Sequence, residues 1–346
     1  MGNITLEGQL NDLKRKVDFN TYDISVKEII NMVSEGLIDI APEYQRQFRW
    51  DIERQSALIE SIFLGIPVPS TYMATNLDGS WELIDGVQRI SSIVRFAGSL
   101  EDLVQINQQS NLKITGLEKL TQLNGYTFNE LPKNIQLQFL LKPLKVTTLS
   151  DKSDVEVRFD LFERLNTGGV KLTDQEIRSC IFRGAFNDFI LSLSENEDFK
   201  NVVRLSKNKE SDGTRSELVL RFFAYLDGYK DFEHSVVDFL NSYMKSATKN
   251  FDYRNKEEIF IKVFNELSKA LPNGISRRFK TTPINLYEAV SVGAALALLE
   301  TGELKIDRIE EWIKSDELKK TTSGASNDKV KVVKRIEFCK EKFKGK

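Results

Sequence analysis

The sequence predicts an α+β fold, with an α/β domain over residues 1–150 and an all-helical domain over residues 151–346. Three observations predict it. The chain has 346 residues, about two domains at ~100–200 residues each. Its first part mixes short alternating strands with amphipathic helices, and from Asp154 onward one helical period follows another. Hydrophobic residues make up 40% of the chain and charged residues 29%, ordinary globular usage, so both parts have enough apolar material to bury a core.

The first helix opens at Ser25-Val26-Lys27-Glu28, a capping box with Ser at the N-cap and Glu at N3, and carries Val26, Ile29, Ile30 and Val33 on one face. Asp51 caps a second helix with Leu58, Ile59, Ile62, Phe63 and Ile66 as its apolar stripe, and Pro67 and Pro69 end it. Two short strands, Thr71–Thr75 and Trp81–Ile84, flank Leu77-Asp78-Gly79-Ser80, whose turn chemistry makes them a hairpin. Asp85-Gly86 then leads into a helix over Val87–Ala97 with Val87, Ile90, Ile93, Val94 and Ala97 on its apolar side. Residues 99–131, with Gly116 and Gly125, read as loops or a small hairpin, a helix runs from Pro132 to about Leu141, and Leu144–Leu149 is a closing strand.

The second part reads as helices over 155–165, ended by Gly168-Gly169, then from a capping box at Thr173-Asp174-Gln175-Glu176, and over 185–193, 214–227, 235–247, 255–270, 285–300 and 307–320. A short basic helix follows the break at Thr321–Asp328.

Several function classes are excluded. The two cysteines, Cys180 and Cys339, form no CxxC, so zinc ribbons and thioredoxin-like sites are out, and no disulfide framework is expected. A single histidine, His234, in a polar stretch, rules out His-rich metal sites such as HExxH. Chemistry in this chain runs on carboxylates, guanidinium groups, amides and backbone N–H. Lys and Arg number 49 against 51 Asp and Glu, a net charge of -2, which gives no global attraction to nucleic acid and leaves only local patches. No targeting signal is visible, and the longest apolar run, Ala289–Leu299, falls short of the ~20 residues of a membrane helix, so the expected location is cytoplasmic with no membrane partner.

Three segments carry candidate chemistry. At Trp81-Glu82-Leu83-Ile84-Asp85-Gly86-Val87-Gln88-Arg89 a strand turns into a helix N-terminus, where free N–H groups favour anions and Gly86 admits close approach of a ligand. Arg89 sits in the first turn, where a cation opposes the helix dipole by ~0.3–1 kcal/mol unless an anion lies in front of it. Asp85 either caps the helix or holds a divalent ion against a phosphate. A structural reading competes: cap, turn and surface ion pair. In Tyr44-Gln45-Arg46-Gln47-Phe48-Arg49-Trp50, arginines suited to phosphates alternate with aromatics that either stack or plug the core. Phe162-Glu163-Arg164-Leu165-Asn166-Thr167-Gly168-Gly169 is explained by helix capping, with Arg164 and Asn166 as further contacts to the first segment. Basic residues such as Lys207, Lys209, Arg215 and Arg221 read as solvated faces beside Glu210, Asp212 and Glu217.

Taken together and in this order, the segments resemble the N-terminal domain family of GmrSD-type restriction endonucleases, over roughly residues 20–225. The resemblance implies a ParB/sulfiredoxin-like α/β domain followed by helices. It implies nucleoside triphosphate and Mg2+ as cofactors, because the family's Asp-Gly-Gln-Gln-Arg signature is matched by Asp85, Gly86, Gln88 and Arg89. Asp85, Gln88 and Arg89 are then the expected catalytic residues, with Asp85 the metal contact. Arg46, Arg49, Trp50, Gly86, Arg89, Arg164 and Asn166 are the expected nucleotide contacts. Glu176 and Arg178 match the family's Glu-x-Arg element. The chain departs from the signature at Val87, where the family has its first glutamine, and it holds no HNH-type nuclease cluster.

The expected function is therefore a nucleoside-triphosphate-binding, hydrolysing sensor or regulatory subunit of a modification-dependent anti-phage restriction system. An HNH-type nuclease on a separate chain would cut DNA, modified or not. A DNA-binding adaptor without turnover, and a ParB-like nuclease using Asp85 with Glu82, are the alternatives. The oligomeric state is left open, a homo-oligomer included.

Overall fold

The computed structural model describes residues 18–40, 50–76, 78–150, 159, 164, 173–210, 212–277, 281–323 and 328–345. The chain divides into two compact units, Met1–Leu172 and Thr173–Lys346. The first is mixed α and β and the second is helical among the described residues, which is the predicted fold class.

The first unit is built on a five-stranded mixed sheet in the order β1-β5-β3-β4-β2. Its strands are β1 (Phe19–Ser25), β2 (Ile38–Asp39), β3 (Thr71–Thr75), β4 (Trp81–Asp85) and β5 (Pro143–Leu149). β1 pairs antiparallel with β5, β5 parallel with β3, β3 antiparallel with β4, and β4 parallel with β2. β3 and β4 form the expected hairpin. Asp78 accepts from the Ser80 N–H at 3.0 Å, and Gly79 takes φ +86 to close the turn.

Helix α1 (Val26–Ser34) is capped by Ser25 and buries Val26, Ile29, Ile30 and Val33. Helix α2 (Ile52–Leu64) is capped by Asp51, whose Oδ1 accepts from the Arg54 N–H at 2.7 Å. Gly65, at φ +71, ends α2 in the left-handed conformation. Helix α3 (Val87–Ala97) buries Val87, Ile90, Ile93, Val94 and Phe96. A short α4 (Leu100–Gln105) and α5 (Lys133–Leu140) follow, with single 3-10 turns at Thr121–Leu123 and Phe128–Glu130 between them.

These helices pack through an aromatic cluster. Phe96 of α3 meets Phe63 of α2, Phe128, and Phe139 of α5 at centroid distances of 6.4, 5.4 and 5.2 Å. The irregular chain after α4 is tied to α2 by side chains. Ser56 accepts from the Thr115 N–H at 3.1 Å, and Glu60 accepts from the N–H groups of Lys119 and Leu120 at 3.2 and 2.7 Å. The loop's buried Leu112, Ile114 and Leu117 explain why this polar-looking stretch is fixed.

The second unit opens with α6 (Asp174–Ile181), whose capping box at Thr173 and Glu176 forms as predicted, with the Thr173 N–H donating to Glu176 at 2.6 Å. It continues through α7 (Ala185–Ser194), α8 (Glu197–Val202), α9 (Thr214–Gly228), α10 (Val236–Ala247), α11 (Tyr253–Ala270) and α12 (Ile284–Thr301). It closes with α13 (Ile309–Trp312), α14 (Asp316–Thr322) and α15 (Lys329–Phe343). The predicted helix over 307–320 is thus two short helices, because Ser315 caps a new start, accepting from the Leu318 N–H at 3.3 Å. By length and composition α12 is long and apolar enough to cross a membrane, and most of it is buried inside this unit. At Gly293 of α12 an added Cβ would lie 2.6 Å from Cys339 Cβ of α15, so the two helices touch backbone to backbone there.

A chain of alternating charges runs through the second unit. Arg178 of α6 meets Glu217 of α9 at 2.7 Å, Glu217 meets Arg221 at 2.7 Å, and Arg221 meets Glu288 of α12 at 2.7 Å. Arg335 of α15 ends the chain on Glu288. Arg178, Glu288 and Arg335 are essentially fully buried, so each charge depends on its partner. Burial pushes the Arg178 guanidinium down, while Arg221, despite burial, is raised by Glu288 and Glu217. Of the basic residues expected on solvated faces, Arg221 instead lies in this buried chain, and Arg215 pairs with Glu210 at 2.5 Å.

Candidate functional site

The β4–α3 junction is a strand running directly into a helix N-terminus. Gly86 is the N-cap of α3, at φ +106 and ψ 10, and no side chain caps the helix. The conformation and the crowding both require glycine. A Cβ at Gly86 would lie 2.9 Å from Thr71 Cγ2 and 3.3 Å from Arg89 Nη2. The first-turn N–H groups of α3 therefore have no side-chain acceptor at the cap, the local condition for holding an anion.

Asp85 and Arg89 meet in this corner, but they meet each other. Arg89 Nη2 donates to Asp85 Oδ2 at 2.6 Å, and Arg89 Nη1 donates to the carbonyls of Pro69 and, at 3.2 Å, Ser70. Arg89 is buried, whereas the Asp85 side chain is about a third exposed (32%). Asp85 does not cap α3. The anion that offsets the unfavourable placement of a cation in the first helical turn is Asp85 itself, so Arg89's position alone gives no case for a bound phosphate.

Gln88 and Trp50 also come together. Gln88 Oε1 accepts from the Trp50 N–H at 3.1 Å, and the Trp50 carbonyl accepts from Gln55 Nε2 at 2.8 Å. Gln55 is buried, and its Oε1 accepts from Arg95 at 3.1 Å. The first turns of α2 and α3 are thereby joined through Trp50. This joins the end of the aromatic-basic segment to the strand–helix junction.

The remaining predicted contacts are placed less fully. Arg46, Arg49 and Asn166 lie outside the described residues, with Phe48, Gly168 and Gly169. Arg164 is exposed. Val87, in place of the signature glutamine, is buried in the apolar stripe of α3. Glu176 and Arg178 have structural work in the second unit, as capping-box partner and as the first member of the charge chain.

Sequence reasoning passed over Arg54. Its guanidinium stands over the Trp50 indole, 4.6 Å from the ring centroid, and it is exposed. The signal was present in the spacing: a tryptophan, an N-cap Asp51, and an arginine four residues after the tryptophan, the separation that lets a first-turn side chain fold back over the ring.

Among the described residues no group of three or more His, Cys, Asp or Glu is arranged to hold a metal ion. A magnesium ion carried on nucleotide phosphates needs only one or two protein carboxylates. Asp85 fits that lesser demand. Glu82, fully buried on β4, presents no accessible second carboxylate beside it.

Residues 26–183 match the family model of the GmrSD restriction endonuclease, N-terminal domain. This segment belongs to that domain family. It covers just under half of the chain and contains the whole corner, from Trp50 through Asp85, Gly86, Gln88 and Arg89 to the start of the helical unit. No curated protein and no solved structure matches the chain. The GmrSD N-terminal domain supports a role in a restriction system.

Proposed function

We propose that this chain is the nucleoside-triphosphate-binding, hydrolysing regulatory subunit of a modification-dependent restriction system, and that a nuclease on a separate chain cuts the DNA. One observation carries the reading: the GmrSD N-terminal domain match contains a helix N-terminus capped by glycine, without a side-chain acceptor, next to a partly exposed carboxylate. The triphosphate tail lies at the first turn of α3, where backbone N–H groups meet its charge. Magnesium, when bound with the nucleotide, neutralises phosphate charge, and Asp85 is the carboxylate that would hold it. Arg89 keeps Asp85 and the chain at Pro69 and Ser70 in place. Gln88 holds the segment before α2 against the same turn. A water attacking the terminal phosphate would be oriented by Asp85.

Phosphate release from Mg-ATP and Mg-GTP by the purified chain tests this, run beside calorimetric titration of both nucleotides. Wild type binds and turns over at least one of them, and Asp85→Asn abolishes turnover. Absence of binding to the wild-type chain removes the proposal.

A second reading is favoured by Val87. Its side chain is buried, so no amide stands where the signature has its first glutamine. The corner then binds phosphate without turnover, and the chain is a DNA-binding adaptor. Its mark is DNA affinity that falls steeply with salt, with no phosphate released from any nucleotide.

A further inference from the structure

Arg89 is committed inside the fold, to Asp85 and to two backbone carbonyls. A second guanidinium lies beside the same corner. Arg54 is in the first turn of α2, exposed, resting on the face of Trp50. Trp50 is itself fixed: its N–H is held by Gln88 of α3 and its carbonyl by Gln55 of α2. Arg54 is therefore two contacts away from the first turn of α3. Among the described residues its guanidinium faces an aromatic ring and enters no ion pair.

We infer that Arg54, resting on Trp50, is the guanidinium that contacts the nucleotide's phosphates, and that Arg89 is a positioning residue. The inference rests on the proposed function and assigns a role within that site. A planar guanidinium can lie flat on an indole and still direct its edge donors outward, which suits bidentate contact with phosphate oxygens. Stacking also restricts the side chain before the ligand arrives, so less freedom is lost on binding. Trp50 thus serves as the platform that holds the cation, and Gln88 fixes the backbone of that platform to α3.

The test is calorimetric titration of Mg-ATP and Mg-GTP into the full chain as wild type, Arg54→Gln and Arg54→Lys, with a thermal melt of each. Arg54→Gln keeps the wild-type melting temperature and weakens binding about tenfold or more, as expected for loss of a charge-assisted phosphate contact. It also makes binding less sensitive to salt, and Arg54→Lys recovers part of the affinity. Should Arg54→Gln melt lower, the lysine variant decides: affinity between those of Arg54→Gln and wild type supports the assignment, and a loss equal to that of glutamine overturns it. If wild type binds and Arg54→Gln binds equally well, this inference falls alone. If wild type binds neither nucleotide, it falls together with the reading it rests on.

Discussion

Arg89 and Asp85, one helical turn apart at the β4–α3 junction, form a 2.6 Å ion pair that closes the corner from within. The pair shows how one short motif serves the fold before it serves a ligand. Arg89 also collects the carbonyls of Pro69 and Ser70, the residues that lead into β3, so one buried side chain fixes two strands and a helix. Arg89→Gln leaves these acceptors short of donors and is expected to lower stability by about 2–3 kcal/mol. Asp85→Asn, at a partly exposed partner, is expected to cost less than about 1 kcal/mol. Urea unfolding of the two variants checks the order, and equal losses would contradict a positioning role for Arg89.

Gly86 is expected to tolerate no side chain. Alanine there meets both a φ of +106 and the methyl group of Thr71 at 2.9 Å, a combined cost of about 1–3 kcal/mol. Thr71→Ser in the same chain removes the methyl contact but not the backbone strain. The double variant should therefore recover part of the lost melting temperature and no more. Full recovery would mean that crowding alone selects glycine.

Glu217 ties the stability of the helical unit to pH. Burial pushes its carboxyl up, but Arg221 and Arg178 outweigh burial and hold it below its ordinary value of 4.5. A depressed folded value means that the stabilisation is fully present above the ordinary value and is lost as pH falls through the folded one. Stability should drop on acidification below about 4.5. Glu217→Gln should flatten that part of the profile. It should also cost about 3–5 kcal/mol at neutral pH, because Arg178 and Arg221 would then share a buried site without their carboxylate. Denaturant unfolding of both proteins across the acid range measures this, and parallel pH profiles would show that Glu217 is not the group that titrates.

Local signals were legible and long-range ones were not. The Ser25 N-cap, the capping box at Thr173 and the Asp78-Gly79 turn involve neighbours within a few residues, and the sequence alone predicted each, although at Ser25 only the N-cap half of the expected box forms. β1 was missed because most of its residues are exposed on both sides, so Phe19–Ser25 shows no alternation. β2 was missed because it is two residues long. At the site, the resemblance grouped Trp50 with the strand–helix junction only as nucleotide contacts, and the hydrogen bond from the Trp50 N–H to Gln88 is a link that no sequence pattern marked. The partner of Arg89 could not be read, because an internal carboxylate and an external phosphate satisfy a first-turn cation equally well. The charge chain from Arg178 to Arg335 was invisible for a different reason: Glu288 is separated from Arg221 by 67 positions and from Arg335 by 47. No local pattern marks such partners.

The central claim is that phosphates sit at the first turn of α3, and backbone amide resonances test it most directly. Titrating Mg-ATP or Mg-GTP into isotope-labelled full chain should shift the amides of Gly86, Val87, Gln88 and Arg89 more than those of β1 or of the helical unit, with Trp50 moving alongside them. Nucleotide binding that leaves these four amides unchanged, or that shifts only residues of the second unit, would contradict the account.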